Sequence, residues 1–296
     1  MSDRCNISAM TPSPKSAILD LLQSTRGRSL PVRALVEAGA ILGLAENGVR
    51  VALARLVARG LVERDGPGRY RLAAPAQPIS RRVGGWTSAD QRSLGWEGAW
   101  IGALRQGGAA SDRATRRCDA RALAFLGFAR LAPGLWIRPD NLRGGVAAAR
   151  RALQELGLDP HTSVLRLSEL DPATDARTRR LWDADSLVAA QRQAREALER
   201  SAARLTRLSP EAAMAETFLV GGRAIRQIAL DPCLPEAIAP EKERRALVAA
   251  MREYDKAGRA CWREFMRAHD APHVAAPANL AGLSGDARAA ALGSHG

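Results

Sequence analysis

Hydrophobic residues recur with helical spacing in three stretches near the start of the chain. The first is PKSAILDLLQST, from Pro14, and the second is LPVRALVEAGAILG, from Leu30. The third runs from about Glu46 to Arg59, where Gly60 ends the pattern. A proline in the first turn and a glycine after the last turn are typical of helix boundaries. We therefore predict three helices in this region.

Two short strands are predicted directly after the third helix. They cover about Leu61–Arg64 and Arg69–Leu72, and the DGPG between them has the chemistry of a tight turn. Three helices followed by a two-stranded hairpin are typical of a winged helix-turn-helix, which we assign to residues 14–75. The next stretch, AAPAQPIS, is rich in alanine and proline and is predicted to be a linker.

The pattern changes from Trp96 to one of alternating strands and helices. EGAWIGAL predicts a strand and SDRATRRCDARALAFLG a helix that opens behind Ser111 or Asp112. Two strands around Pro133-Gly134, the helix RGGVAAARRALQELGL and the strand TSVLRLSEL complete a βαββαβ order. This order predicts a central ferredoxin-like α+β domain at residues 95–170. Because the last strand is weak, a less regular α+β layer is the alternative.

The rest of the chain is helical up to its last residues. Long apolar periodicities over residues 178–268 predict a C-terminal α-helical domain. Residues 271–296 are rich in alanine, proline and glycine, which predicts a disordered tail. The predicted fold class is thus α+β multidomain.

The third predicted helix has two distinct faces when its residues are placed 100° apart. One arc is apolar and is predicted to face the core; it contains Val49, Leu53, Leu56 and Val57. The opposite arc holds small, amide and basic residues: Asn47, Arg50, Val51, Ala54 and Ala58, with Arg55 and Arg59 at its edge. Small residues let a helix approach DNA, Arg can bind guanine bidentately and Asn can bind adenine. This combination favours a recognition helix in a major groove.

The hairpin adds basic residues that suit the phosphate backbone. Phosphate contacts add affinity without sequence information. We predict the following DNA-binding residues: Asn47, Arg50, Val51, Ala54, Arg55, Arg64, Arg69 and Arg71. The same fold is also used for protein docking, and in that case the arginines are merely solvated.

Charge supports a polyanionic partner. The net charge is +13, and most of the excess lies in the first two thirds of the chain. Residues 15–73 carry 10 Lys and Arg against 5 Asp and Glu, residues 74–170 carry 14 against 8, and residues 171–296 carry 19 against 17. Arginine contributes almost all of the positive charge. Part of the excess therefore reflects a general preference for arginine in this chain and not a binding site.

Several site classes have no support in the sequence. The four cysteines lie far apart without CxxC spacing, and His269 and His273 are separated by Pro272, so we expect no metal site. There is no GxSxG, P-loop or dinucleotide-binding glycine motif, and we expect neither an enzyme nor a cofactor. No apolar stretch is long enough to span a membrane and no signal peptide is evident, which favours the cytoplasm.

Four ordered segments together resemble the PaaX family of transcriptional repressors. They are ENGVRVALARLVARGLVERDGPGRYRL, LGFARLAPGLWIRPDNL, LWDADSL and IALDPCLPEAIAP, and the resemblance covers about residues 14–265. The chain departs from the family after Pro240, where EKERRAL replaces the usual tryptophan and glycine, and its turn between the two predicted strands is short. These departures put the effector in doubt and leave the fold unaffected.

The resemblance implies a homodimeric repressor of an aromatic-acid catabolic operon. Such a protein binds a palindromic operator in double-stranded DNA and is released by an aryl-CoA thioester such as phenylacetyl-CoA. A thioester needs a basic patch for its phosphates and an apolar slot for its acyl group. Residues compatible with these needs are Arg116, Arg117, Arg121, Arg150 and Arg151, and Trp136, Trp182, Phe218 and Trp262. Solvated helix faces and core packing are the commoner roles of such residues, so we assign none of them to a ligand.

Two other functions remain open. The ferredoxin-like domain also resembles Cas2-like nucleases, which use an acidic residue at the end of the first strand. Here that strand ends in IGALRQGG, without Asp or Glu, which argues against a nucleic-acid-processing enzyme. The second alternative is an adaptor whose winged helix mediates protein assembly without binding DNA.

Overall fold

The computed structural model of the protein describes residues 12–105 and 113–271. The chain is α+β and mostly helical, with two small antiparallel sheets, which confirms the predicted class. It forms two compact units. In the described ranges, the first unit comprises residues 12–87, 193–227 and 247–271, and the second comprises residues 88–105, 113–192 and 228–246. The stretch 178–268, expected to be a C-terminal domain, contributes to both units.

Two expectations fall outside these ranges. The helix start at Ser111 or Asp112 lies outside the described residues, as does the predicted tail from residue 272 onward.

The first unit begins with three helices and a three-stranded sheet. The elements are α1 (Pro14–Ser24), β1 (Leu30–Pro31), α2 (Val32–Ile41), α3 (Glu46–Ala58), β2 (Val62–Arg64) and β3 (Arg69–Leu72). The three predicted helices and the hairpin are confirmed. The short strand β1 adds a third strand, and the antiparallel order is β1-β3-β2. The hairpin turn depends on Gly66 and Gly68, whose φ angles are +93° and +64°.

The helices of the first unit pack on one continuous apolar core. Buried side chains of α1, α2 and α3 meet at this core, which excludes them from water. The helices α2 and α3 cross closely at Gly39, where a Cβ atom would lie 2.7 Å from Cγ2 of Val49. Residues from late in the sequence belong to the same core: Met214, Phe218, Trp262 and Met266. The winged-helix segment therefore shares its interior with the C-terminal helices.

The prediction that AAPAQPIS is a linker is wrong. A 3-10 turn at Ala74–Ala76 leads directly into the helix α4 (Gln77–Gly84). Pro78 sits in its first turn, where a missing N–H costs nothing, and Ile79 and Val83 lie one turn apart and are buried. The amide of Gln23 donates to the carbonyl of Ser80 over 2.7 Å. This segment therefore packs on α1 and does not act as a linker.

The second unit contains a four-stranded antiparallel sheet and two helices in βαββαβ order. The elements are β4 (Trp100–Arg105), α5 (Arg113–Phe125), β5 (Ala129–Ala132), β6 (Leu135–Pro139), α6 (Gly145–Glu155) and β7 (Thr162–Leu167). The strand order is β5-β6-β4-β7, with every neighbouring pair antiparallel. The predicted order of elements is confirmed, including the weak last strand, which pairs with β4 along its full length.

Four further helices follow. They are α7 (Pro172–Arg179), α8 (Ala184–Ala202), α9 (Pro210–Leu230) and α10 (Lys242–Ala268). The helix α7 begins at an N-cap, Asp171, whose side chain accepts from the backbone N–H of Thr174. Each of α8, α9 and α10 contributes residues to both units.

Candidate nucleic-acid interface

The outer face of α3 is open to solvent. We use this name for Asn47, Arg50, Val51, Ala54 and Arg55, all of which are exposed. Val51 is 41% exposed, so an apolar side chain is presented to solvent among the polar ones. On the opposite side, Val49, Leu53 and Leu56 are buried as predicted. The two-faced character inferred from the sequence is therefore present, and the outer face is available to a partner.

Arg50 forms an ion pair within this face. Its Nε lies 2.8 Å from Oε1 of Glu46 and its Nη2 lies 2.7 Å from the same oxygen. More than half of each side chain is exposed, so the pair contributes about 0.2–1 kcal/mol at most. Because this ion pair is weak and exposed, Glu46 can orient the guanidinium of Arg50 and still release it to another partner. Sequence analysis missed Glu46, although its spacing of four residues from Arg50 is a sufficient signal.

The three arginines of the hairpin have different surroundings. Arg64 is exposed. Arg71 binds Glu63 over 2.7 Å and Asp65 over 3.5 Å, and its pKa is raised, mainly by the hydrogen bond to Glu63. Arg69 is partly buried and donates hydrogen bonds to Ser29, the residue that precedes β1. Of the three, Arg64 therefore has the freest access to a phosphate.

Hydrogen bonds outside the strand pairing also fix the hairpin to the rest of the unit. The guanidinium of Arg69 donates to Oγ of Ser29 over 3.1 Å and to its carbonyl over 3.0 Å. The backbone N–H of Val32, the first residue of α2, donates to the carbonyl of Gly68 over 2.8 Å. These bonds hold the turn of the hairpin at a fixed position relative to α2.

The end of α10 reaches the same region. The carbonyl of Asp270 accepts a hydrogen bond from Arg69 over 3.4 Å, and Nε2 of His269 lies 2.8 Å from Oε2 of Glu37 on α2. His269 is thus bound to a carboxylate, and the His273 considered with it lies outside the described residues. Within the part of the chain that the structure describes, no group of three or more His, Cys, Asp or Glu residues is arranged to hold a metal ion.

The residues compatible with an acyl-CoA belong to different parts of the fold. Phe218 and Trp262 are buried in the core of the first unit, 3% and 2% exposed. Trp136 and Trp182 belong to the second unit and are half-buried, and Trp182 stacks on Trp100 with ring centroids 6.2 Å apart. The five arginines are exposed on α5 and α6, as expected for solvated faces.

Two of the sequence segments singled out above meet inside the second unit. Arg138, from GLWIRPDN, is 1% exposed, and its Nη2 donates to the carbonyl of Pro232 over 3.2 Å. The amide of Asn141 donates to the carbonyl of Cys233 over 2.7 Å. Burial lowers the pKa of Arg138 to about 10. Both segments therefore have a structural role, because polar side chains of the first satisfy backbone carbonyls of the second.

Two carboxylates lie at the end of β4, the region where a nuclease of the alternative class has an acid. Nη2 of Arg105 lies 3.6 Å from Oδ2 of Asp119 and 3.3 Å from Oδ2 of Asp159. Burial raises the pKa of Asp119. A cationic side chain thus already bridges the two groups.

None of the helices in the described ranges is long and apolar enough to cross a membrane.

Comparison with known proteins agrees with the N-terminal assignment. Residues 13–76 match the family model described as PaaX-like protein, which confirms the resemblance predicted for this segment. A solved structure, the uncharacterized protein Rv0674 from Mycobacterium tuberculosis, is similar to the chain with a TM-score of 0.55 and 23% identity. The similarity covers 87% of this chain and 99% of that one, so it extends through both units as a likeness of fold. No curated protein sequence matches the chain significantly.

Proposed function

We propose that this chain, with its PaaX-like domain at residues 13–76, is a transcriptional regulator that binds double-stranded DNA through a winged helix-turn-helix. The observation that carries the proposal is the exposed outer face of α3, with an amide, two arginines, a valine and an alanine opposite a buried apolar face. That face suits base edges in a major groove, and the β2–β3 hairpin acts as the wing. The strand order β5-β6-β4-β7 fits a ferredoxin-like central domain.

The finer proposal is a homodimeric repressor that is released by an aryl-CoA thioester. It is supported by the resemblance of the segments outside residues 13–76 and by the exposed arginines of α5, which would suit the phosphates of coenzyme A. Phenylacetyl-CoA should raise the melting temperature of the chain by mass action, whereas coenzyme A without the aryl group should raise it less. It should also release bound operator DNA. If equal shifts are produced by both compounds, the aryl-specific part of the proposal is incorrect.

Selection from a pool of randomised duplexes tests DNA reading directly. The purified chain should enrich a palindrome whose half-sites are separated by about one helical turn, roughly 10 base pairs, or a multiple of it. Failure to enrich any motif, together with no salt-dependent binding to DNA, would favour an adaptor. Metal-dependent cleavage of the pool would instead favour the nuclease alternative.

A further inference from the structure

We propose that the C-terminal half of α10 is a second DNA contact, which binds phosphates beside the β2–β3 hairpin. This inference rests on the proposed function. It concerns four exposed cations, which we call the α10 cationic row: Lys256, Arg259, Arg263 and Arg267. At 100° per residue they fall within an arc of about 80°, and at 1.5 Å per residue the row is about 16 Å long.

The positive charge of the row is concentrated at its C-terminal end. Lys256 is paired with Glu253 over 2.8 Å and Arg259 with Asp255 over 2.7 Å. For Arg263 and Arg267, no carboxylate partner is present among the described residues. Cations near the end of a helix interact favourably with its dipole, but that effect is confined to the last turn and does not account for Arg263. Two charges are therefore available to an external anion.

The end of the row is fixed next to the predicted wing. Asp270 accepts a hydrogen bond from Arg69 of β3, and His269 binds Glu37 of α2, so α10 ends against two elements of the proposed DNA-binding segment. Trp262 and Met266, which flank the row on α10, are buried in the core shared with α1, α2 and α3. The row and the wing thus belong to one compact unit.

Duplex DNA suits the row better than a membrane surface does. DNA carries one negative charge per about 1.7 Å of its axis, so a row about 16 Å long faces several phosphates. A helix that lies in a membrane interface needs an exposed apolar face. Here the apolar face of α10 carries Trp262 and Met266, which are 2% and 3% exposed in the core.

The test measures binding of the full chain to a fluorescent mixed-sequence duplex of about 30 base pairs, roughly three helical turns, over a range of salt concentrations. This probe needs no knowledge of the operator, because phosphate contacts are independent of sequence. The test variant is R263Q with R267Q. The control, R200Q with R223Q, removes the same charge from exposed positions on α8 and α9. The variant E264Q removes an acid beside the row and should have the opposite effect.

The loss of two phosphate contacts should make the slope of log K against log salt concentration shallower by about 1.8, and should weaken binding up to about 60-fold at about 0.1 M salt. The control should retain the slope of the unmodified chain, and E264Q should bind more tightly. Equal melting temperatures would show that the variants fold.

Four results would overturn the inference. An unchanged slope for the R263Q and R267Q variant, while the unmodified chain binds DNA, would reject the row and leave the proposed function intact. An equal loss in the control would mean that net charge alone is responsible. If the R263Q and R267Q variant binds DNA as well as the unmodified chain but no longer binds vesicles of equal parts phosphatidylcholine and phosphatidylserine, the row would be assigned to membranes. If the unmodified chain has no salt-dependent affinity for DNA, the proposed function fails together with the row.

Discussion

Arg138 binds the backbone carbonyl of Pro232, which lies 94 residues later in the chain. The same guanidinium donates to the carbonyls of Leu126 and Pro139 and to Oδ1 of Asn141. A single buried side chain thus connects β6, the end of α5 and the segment after α9. Two short motifs that are far apart in the sequence therefore meet in the fold.

Replacement of Arg138 with Met should destabilise the second unit. The substitution leaves buried carbonyls without donors, and we expect a loss of about 2–4 kcal/mol in the free energy of unfolding. Urea denaturation measures this change. The matched control is R166M, which removes an exposed arginine paired with Asp140 and should change stability by less than about 0.5 kcal/mol. Equal effects of the two substitutions would contradict the structural role of Arg138.

Two glycines of the first unit should respond in opposite directions to alanine. At Gly39 the new Cβ would lie 2.7 Å from Val49, so G39A should force α2 and α3 apart and cost about 1–3 kcal/mol. At Gly48, in α3, the nearest atom is Cγ of Pro14 at 3.7 Å, so G48A should stabilise the helix by about 0.5–1 kcal/mol. Thermal denaturation compares them, and a stable G39A variant would show that the helices do not cross there.

The buried carboxyl of Asp119 should make stability fall as pH rises. Because burial raises its pKa above the ordinary value of 3.8, the folded state holds this proton more tightly than the unfolded state does. Its contribution to stability is complete at low pH and is lost as the pH rises through the folded-state pKa. The variant D119N lacks this titration and should therefore gain stability relative to the unmodified chain as the pH rises from about 4 through the folded-state pKa.

The exposed carboxyl of Asp171 provides a control, because its effect on the pH dependence of stability should have the opposite sign. The pKa of Asp171 is lowered, first of all by its hydrogen bond to Thr174, so its contribution is present above the ordinary pKa and is lost as pH falls. D171N should therefore lose stability relative to the unmodified chain over the same rise in pH. Denaturation series at several pH values measure both slopes, and slopes of the same sign would be inconsistent with these environments.

Arg64 and Arg71 should differ in their effect on DNA affinity. R64Q should weaken binding to all sequences alike and make the salt slope shallower by about 0.9, because Arg64 is exposed and suited to a phosphate. R71Q should change the slope less, since Arg71 is already bound to Glu63 and Asp65. Binding titrations at several salt concentrations distinguish the two. A larger change for R71Q would mean that its ion pairs open on the DNA.

Local patterns were sufficient to predict much of the fold and the outer face of α3. Helical periodicity, a proline or glycine at several boundaries and the DGPG turn are properties of neighbouring residues, and the three helices, the hairpin and the βαββαβ order followed from them. The strand β1 is only two residues long, too short to produce a pattern. The linker prediction failed because prolines are typical of unstructured segments. Here Pro78 lies in the first turn of a helix that buries Ile79 and Val83.

Contacts between distant parts of the chain could not be predicted in the same way. Nothing in the periodicity of α10 indicates that Trp262 and Met266 share a core with α1, α2 and α3. The α10 cationic row was also hidden, because Glu253, Asp255 and Glu264 offset three of its four charges in a count along residues 253–267. The three-dimensional arrangement shows that Glu253 and Asp255 pair with Lys256 and Arg259, which leaves the charge at the C-terminal end of the row.

The central claim is that the outer face of α3 reads bases, and Arg50 tests it most directly. Gel-shift titration of R50A should be carried out on the selected palindrome and on its single-base variants, with E46Q as the control that removes the partner of Arg50 and keeps the arginine. We expect R50A to lose about 1–3 kcal/mol of affinity for the palindrome and to discriminate less at one base position in each half-site, while E46Q keeps its discrimination. An R50A variant that binds and discriminates as well as the unmodified chain would contradict the account.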